Sequence, residues 1–131
     1  MTKKANTEVS TALQRVIDAR LAVSDPARAD AFTKIRARGS LTARERVDAL
    51  IDSHSFVEYG MLASSVNPDI IAPADGVITG LGAIDGVTVG VVSYDYSVFA
   101  GSQGDVGHHK LARLFETVAK LQCPLIMFLE G

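Results

Sequence analysis

An α/β fold is what the order of apolar periods in this 131-residue chain predicts. Three observations carry it. From Thr7 to Ile51 the apolar residues recur at helical spacing, between Gly76 and Tyr94 two strand-like runs flank a turn, and a glycine-rich loop then leads into a helix and a last apolar run. A β–loop–α–β order of that kind predicts a right-handed crossover to a parallel strand.

The first helix places Val9, Leu13, Val16, Ile17 and Leu21 on one stripe, and Ser24-Asp25-Pro26 breaks it. Pro26 suits the first position of a second helix, to about Arg38, with only Ala27, Ala31, Phe32 and Ile35 to bury. That helix therefore needs something outside itself to pack on. Gly39 ends it, and Thr42-Ala43-Arg44-Glu45 has the composition of a capping box opening a short helix through Val47, Leu50 and Ile51.

Ser55 to Tyr59 alternates as a strand does, and residues 64–75 form a loop broken by Asn67-Pro68 and Ala72-Pro73. Asp85-Gly86 is a favoured two-residue hairpin turn, so Gly76–Ile84 and Val87–Tyr94 pair across it. Val87 to Val92 is apolar at nearly every position, which predicts a strand covered on both faces. Gly104 or Asp105 begins a helix whose stripe is Leu111, Leu114, Phe115, Val118 and Leu121, and Pro124 to Leu129 reads as a second buried strand.

Hydrophobic residues at 47% and charged residues at 21% are ordinary for a soluble globular chain. The net charge of −2 gives no reason to expect nucleic acid, although residues 1–50 carry +4 and residues 51–131 carry −6. The basic half could meet an anionic ligand or an acidic neighbour; two solvated helical faces explain it as well. One cysteine, Cys123, excludes an internal disulfide and predicts a reducing compartment. No apolar run reaches a membrane span and no apolar signal core follows Met1, so the expected location is cytoplasmic.

Gly80 to Gly86 has the spacing of a dinucleotide fingerprint but sits in a hairpin, where glycines that thin a strand explain it better. Gly101-Ser102-Gln103-Gly104 does join a strand to a helix, yet lacks the Gly-Lys-Ser/Thr ending of a phosphate-binding P-loop. Its N–H groups could hold a phosphate or a polarised carbonyl; a plain glycine-rich turn is the alternative. Adjacent His108 and His109 point in different directions, and no further ligand stands at metal spacing, so no metal site is expected. Cys123 reads as a small hydrophobe. Arg36, Arg38, Arg44 and Arg46 surround Gly39 and could grip phosphates, or be solvated or paired with a partner subunit.

Two stretches resemble the carboxyltransferase subunits of biotin-dependent acyl-CoA carboxylases. One is Arg36 to Arg46 with Leu50-Ile51-Asp52 and Ser55-Phe56-Val57-Glu58. The other runs from Ala74-Asp75-Gly76 through the hairpin to Ser102. The resemblance covers the chain from about Ala31 onward and implies an incomplete crotonase-like (ClpP-like) fold preceded by N-terminal helices. Residues 1–54 would be the helical segment and 55–131 the first part of the carboxyltransferase N-domain.

It further implies transfer of a carboxyl group from carboxybiotin, held on a partner biotin carrier, to the α-carbon of an acyl-CoA. A homo-oligomer is implied too, with active sites at dimer interfaces. A non-catalytic acyl-CoA-binding or assembly module, or another crotonase-group thioester enzyme, is the rival expectation. By resemblance Phe99, Ala100, Gly101 and Ser102 line the acyl-CoA pocket, Arg36, Arg38 and Arg44 face CoA phosphates, and Gly131 starts an oxyanion loop. Where the family has Gly-Gly this chain has Ala100-Gly101, and its last residues, Glu130-Gly131, stand at the threshold of that loop. The expectation is an excerpt of a longer subunit, or a chain completed by a second polypeptide, and nearly inactive alone.

Overall fold

One mixed sheet of four strands organises the computed structural model, which describes residues 2–130, with side chains from residue 10 onward. Strands β1 (Val57–Tyr59), β2 (Val77–Ile84) and β3 (Val87–Tyr94) are successively antiparallel, and β4 (Leu125–Phe128) lies parallel to β3. The hairpin closes as predicted. Ile84 pairs with Val87, and Asp85 and Gly86 both take positive φ, 49° and 78°, which matches the right-handed twist of the strands.

Helices α3 (Ala43–Leu50) and α4 (Asp105–Leu121) cover opposite faces. Ala43 and Val47 of α3 pack with Ile78, Val89 and Val91; Leu111 and Leu114 of α4 pack with Val77 and Val92. The alternation of Val91 and Val92 between the two clusters is the two-residue period of a strand. Val89 to Ser93 is buried, as expected for a strand covered twice, while Val87 and Thr88 beside the turn are exposed. Leu114 is wholly buried, and its truncation to alanine would cost about 3 kcal/mol.

Local signals explain the helix ends. Thr42 Oγ1 accepts the Glu45 N–H at 3.2 Å while Glu45 Oε2 accepts the Thr42 N–H at 2.9 Å, a complete capping box. Gly39 adopts φ 70° just past the helix α2 (Thr33–Ala37), and the Ser40 N–H reaches back to the Ile35 carbonyl. Gly80 leaves room for β1 and Phe56: a Cβ there would stand 2.3 Å from the Val57 carbonyl oxygen. That close packing accounts for its place in the hairpin.

Several expectations need correction. The single helix from Pro26 to Arg38 is a 3-10 stretch, Pro26–Phe32, interrupted at Arg28, followed by the short α2. Only Phe32 and Ile35 are buried on it; Ala27 and Ala31 face solvent. The first helix, α1 (Thr2–Ala22), leaves Leu13, Val16, Ile17 and Leu21 exposed. Phe115 and Leu121 of α4 are also exposed. Strand β4 is not buried: it is the sheet edge, paired on one side only, and Met127 and Leu129 are exposed.

Candidate functional site

The carboxyl ends of the parallel strands β3 and β4 open onto a cleft of about 460 Å³ lined by Tyr94, Gly101, Leu129 and Glu130. Carboxyl ends of parallel strands are where α/β sheets ordinarily present ligand sites, since the chain turns away there and exposes its peptide groups. Larger hollows lie beside α3 and α4, about 670 and 610 Å³. Arg36, Arg44 and Glu45 in the first of these are already engaged in ion pairs.

The loop leaving β3 is held from below. Asp95 is buried and accepts from Arg28 Nη1 at 2.9 Å, from the Ser97 N–H at 2.9 Å and from Ser97 Oγ, while Arg28 Nη2 donates to Ser97 Oγ at 2.7 Å. The Arg28 guanidinium also lies 4.9 Å from the centre of the Phe32 ring. The loop is thereby pinned to the 3-10 stretch of the N-terminal segment.

Next comes a tight turn, Phe99–Gly101, in which all three residues take positive φ: 51°, 51° and 86°. Left-handed backbone costs a non-glycine residue about 1 kcal/mol or more, so Phe99 and Ala100 are strained. The Gly101 N–H donates to the Val98 carbonyl and the Ser102 N–H to the Phe99 carbonyl. Among the described residues the N–H groups of Phe99 and Ala100 meet no acceptor. Of these four residues Phe99 and Ala100 keep free donors, whereas those of Gly101 and Ser102 are spent inside the turn. Gly101 alone of the four lines the cleft; Phe99, Ala100 and Ser102 are exposed.

The α4 N-terminus already has an internal anion. Asp75, wholly buried, supplies it: its Oδ2 accepts the Gly107 N–H at 2.7 Å, and its carbonyl accepts the Gly104 N–H at 3.3 Å. Asp75 belongs to a second left-handed turn, Ala74-Asp75-Gly76, with φ of 53°, 50° and 81°. A Cβ on Gly76 would stand 2.7 Å from the Ser102 carbonyl oxygen, so the two strained turns pack directly on one another.

Lys110 fastens the second turn. Its buried amine donates to the carbonyls of Ala74 at 2.8 Å and Val77 at 2.5 Å. Burial pushes its pKa down to about 8; the charges of Glu58 and Asp75 act upward against this, and that of Arg44 acts with it.

The three predicted phosphate arginines separate. Arg36 binds Glu45 through both terminal nitrogens, at 2.8 and 2.6 Å, and that bond holds the Glu45 carboxyl below its usual range. Arg44 binds Glu58 bidentately at 2.6 and 3.2 Å, near Asp25, itself the acceptor of the Thr42 hydroxyl. Arg38 is exposed, with its guanidinium 5.7 Å from the Tyr96 ring centre, beside the candidate loop. Arg46 spans α3 to the strand ends: one nitrogen, Nη2, donates to the Tyr94 carbonyl at 2.9 Å and to Glu130 Oε2 at 2.6 Å. Gly131 lies outside the described residues.

No group of three His, Cys, Asp or Glu side chains that could hold a metal ion occurs among the described residues. Among those same residues no helix is long and apolar enough to cross a membrane. Chemically, the arrangement offers backbone donors to a polarised oxygen, with the cleft's one carboxylate, Glu130, engaged by Arg46.

Comparison with known proteins matches the carboxyl transferase domain family over residues 34–131. The chain is 43% identical over 111 residues to the biotin-dependent acetyl-/propionyl-coenzyme A carboxylase beta5 subunit of Mycobacterium tuberculosis, covering 81% of this chain and 20% of that protein. It is 42% identical over 101 residues to the propionyl-CoA carboxylase beta chain of Saccharopolyspora erythraea, covering 73% and 18%. Among solved structures it superposes on a single-chain, multi-domain long-chain acyl-CoA carboxylase with a TM-score of 0.85 at 39% identity, covering 91% of this chain and 14% of that one. It also superposes on the transcarboxylase 12S hexamer, TM-score 0.84 at 29% identity, covering 91% and 25%. The chain thus spans about a fifth of the curated relatives' length, and its fold is the opening part of the crotonase-like carboxyltransferase fold.

Proposed function

The chain belongs to the carboxyl transferase domain family, and from that premise we propose that it forms the N-terminal part of a biotin-dependent acyl-CoA carboxyltransferase. In this reading a carboxyl group passes from carboxybiotin to the α-carbon of an acyl-CoA. The observation that supports it is the pair of free N–H groups, Phe99 and Ala100, held in a strained turn beside the β3–β4 cleft.

Forming a carbanion next to a thioester places negative charge on the carbonyl oxygen, and fixed donors aimed at that oxygen lower the barrier. Phe99, Ala100, Gly101 and Ser102 form the pocket wall on the acyl-CoA side. Gly131 begins the loop that adds further donors. Arg38, exposed beside Tyr96, is the arginine available to a CoA phosphate, because Arg36 and Arg44 are committed to carboxylates.

Biotin enters on a partner carrier and supplies the activated carboxyl group. Among the described residues the donors fit a thioester oxygen, and no step at biotin is assigned to this chain. Residues 1–54 act as a helical segment that braces the loop through Arg28, and residues 55–131 open the catalytic N-domain. Exposed Met127 and Leu129 at the sheet edge fit burial by the remainder of the carboxyltransferase, and exposed Leu13, Val16 and Ile17 of α1 fit a second copy in a homo-oligomer. A cytoplasmic location accords with the single free cysteine.

The test is carboxylation by the intact protein assembled with its biotin carboxylase and carrier. Fixation of labelled bicarbonate into acetyl-, propionyl- or longer acyl-CoA is expected, abolished by avidin. Acyl-CoA binding without transfer in that assembly would overturn the reading in favour of a binding module, and avidin-insensitive turnover would favour another thioester enzyme.

A further inference from the structure

The β3–β4 ladder ends at the pair Ser93↔Phe128, and every residue that lines the cleft lies beyond it. Tyr94 is still held by its pairing with Val77 of β2, but Leu129 and Glu130 continue past the last β3–β4 pair. Arg46 reaches across this gap from α3. Its Nη2 alone bridges the Tyr94 carbonyl and the Glu130 carboxylate, while its buried Nε has no partner among the described residues. The base it reaches from is fixed: the capping box holds the first turn of α3, and Ser93 Oγ donates to the Ala43 carbonyl at 3.0 Å.

We propose that Arg46 is a positioning residue, holding the ends of β3 and β4 at the separation that aims the cleft donors at the thioester oxygen. This rests on the carboxyltransferase reading. Misplacing a reacting carbonyl by about 1 Å is enough to cost roughly 100-fold in rate, so a loosened cleft should lower kcat more than it raises KM. A residue that only stabilised the fold would change the fraction of folded enzyme and leave both constants of the folded enzyme alone.

The test uses the intact protein with its biotin carrier, comparing Arg46→Gln, Arg46→Lys and Glu130→Gln by kinetics and by hydrogen exchange. Arg46→Gln is expected to lower kcat at least about tenfold with KM for acyl-CoA within about threefold. Arg46→Lys should recover most of the loss, because a single nitrogen makes both bonds. Peptides covering residues 94–101 and 125–130 should exchange faster in the glutamine variant than in the lysine variant. A kcat for Arg46→Gln within about twofold of wild type, no rescue by lysine, or unchanged exchange would each overturn the proposal. Should Arg46→Gln not fold, Glu130→Gln decides: lowered kcat supports it and unchanged kcat overturns it. An inactive wild type would strike the carboxyltransferase reading instead, and the exchange comparison would still decide this one.

Discussion

The Asp75 carboxylate sits against Gly104 with no space between them: a Cβ on Gly104 would stand 2.4 Å from both carboxylate oxygens. Asp75 is the internal anion of the α4 N-terminus, and its Oδ1 has no partner among the described residues. Gly104→Ala must therefore push the carboxylate or the helix start aside. We expect a loss of about 2 kcal/mol, measured as a lower midpoint in chemical denaturation. Asp75→Ala removes the acceptor of the Gly107 N–H and should cost about 1–3 kcal/mol.

Lys110 makes stability depend on pH in a defined direction. Its native pKa is about 8 against an ordinary value of 10.5. Below pH 8 both states hold the proton, and the penalty for burying the ammonium is fully present. Between pH 8 and 10.5 the unfolded state binds more protons, so stability rises with pH. Wild type should gain on Lys110→Met across that window, by at most about 3 kcal/mol. Parallel denaturation curves at pH 7.5 and 10 measure it; a constant difference between the two proteins would contradict the lowered pKa.

What could be read from the sequence is what neighbouring residues decide. The capping box at Thr42, the stop at Gly39 and the turn at Asp85-Gly86 each depend on contacts within a few residues, and all are present. Lys110 carries no such local sign: a charge beside Leu111 reads as solvent face, although it shares the buried stripe of Gly107 and Leu114. Its acceptors, Ala74 and Val77, lie 36 and 33 positions away. Arg28 meets Asp95 across 67 positions, and Arg46 meets Glu130 across 84. The sequence marks Phe99, Ala100, Gly101 and Ser102 together and cannot rank them, since which N–H groups stay free depends on which ones the turn itself consumes.

The arginine assignment separates three variants that look alike in sequence. Arg38→Ala should raise KM for acyl-CoA about tenfold, and the effect should shrink for substrates lacking the nucleotide phosphates. Arg36→Ala breaks an exposed ion pair with Glu45 and should change KM and stability little. Arg44→Ala strands the half-buried Glu58 and should destabilise by about 2 kcal/mol without acting selectively on phosphates. Steady-state kinetics with intact and dephosphorylated CoA esters, beside thermal melts, distinguish the three.

Ala100 offers the sharpest test of the strained turn. Its φ and ψ of 51° and 40° suit glycine, its side chain is exposed, and little packing is lost on removing the methyl group. Relief of the left-handed penalty, about 1 kcal/mol or more, outweighs the added freedom of glycine in the unfolded chain, so Ala100→Gly should stabilise by about 0.5 kcal/mol. The N–H is retained, and activity should stay within about twofold of wild type if that donor faces the substrate. Ala100→Pro removes the donor and cannot adopt positive φ, so it should lose both stability and turnover. Thermal melts combined with carboxylation rates for the pair separate backbone strain from donor loss: a destabilised Ala100→Gly would refute the strain, and an active Ala100→Pro would refute the donor.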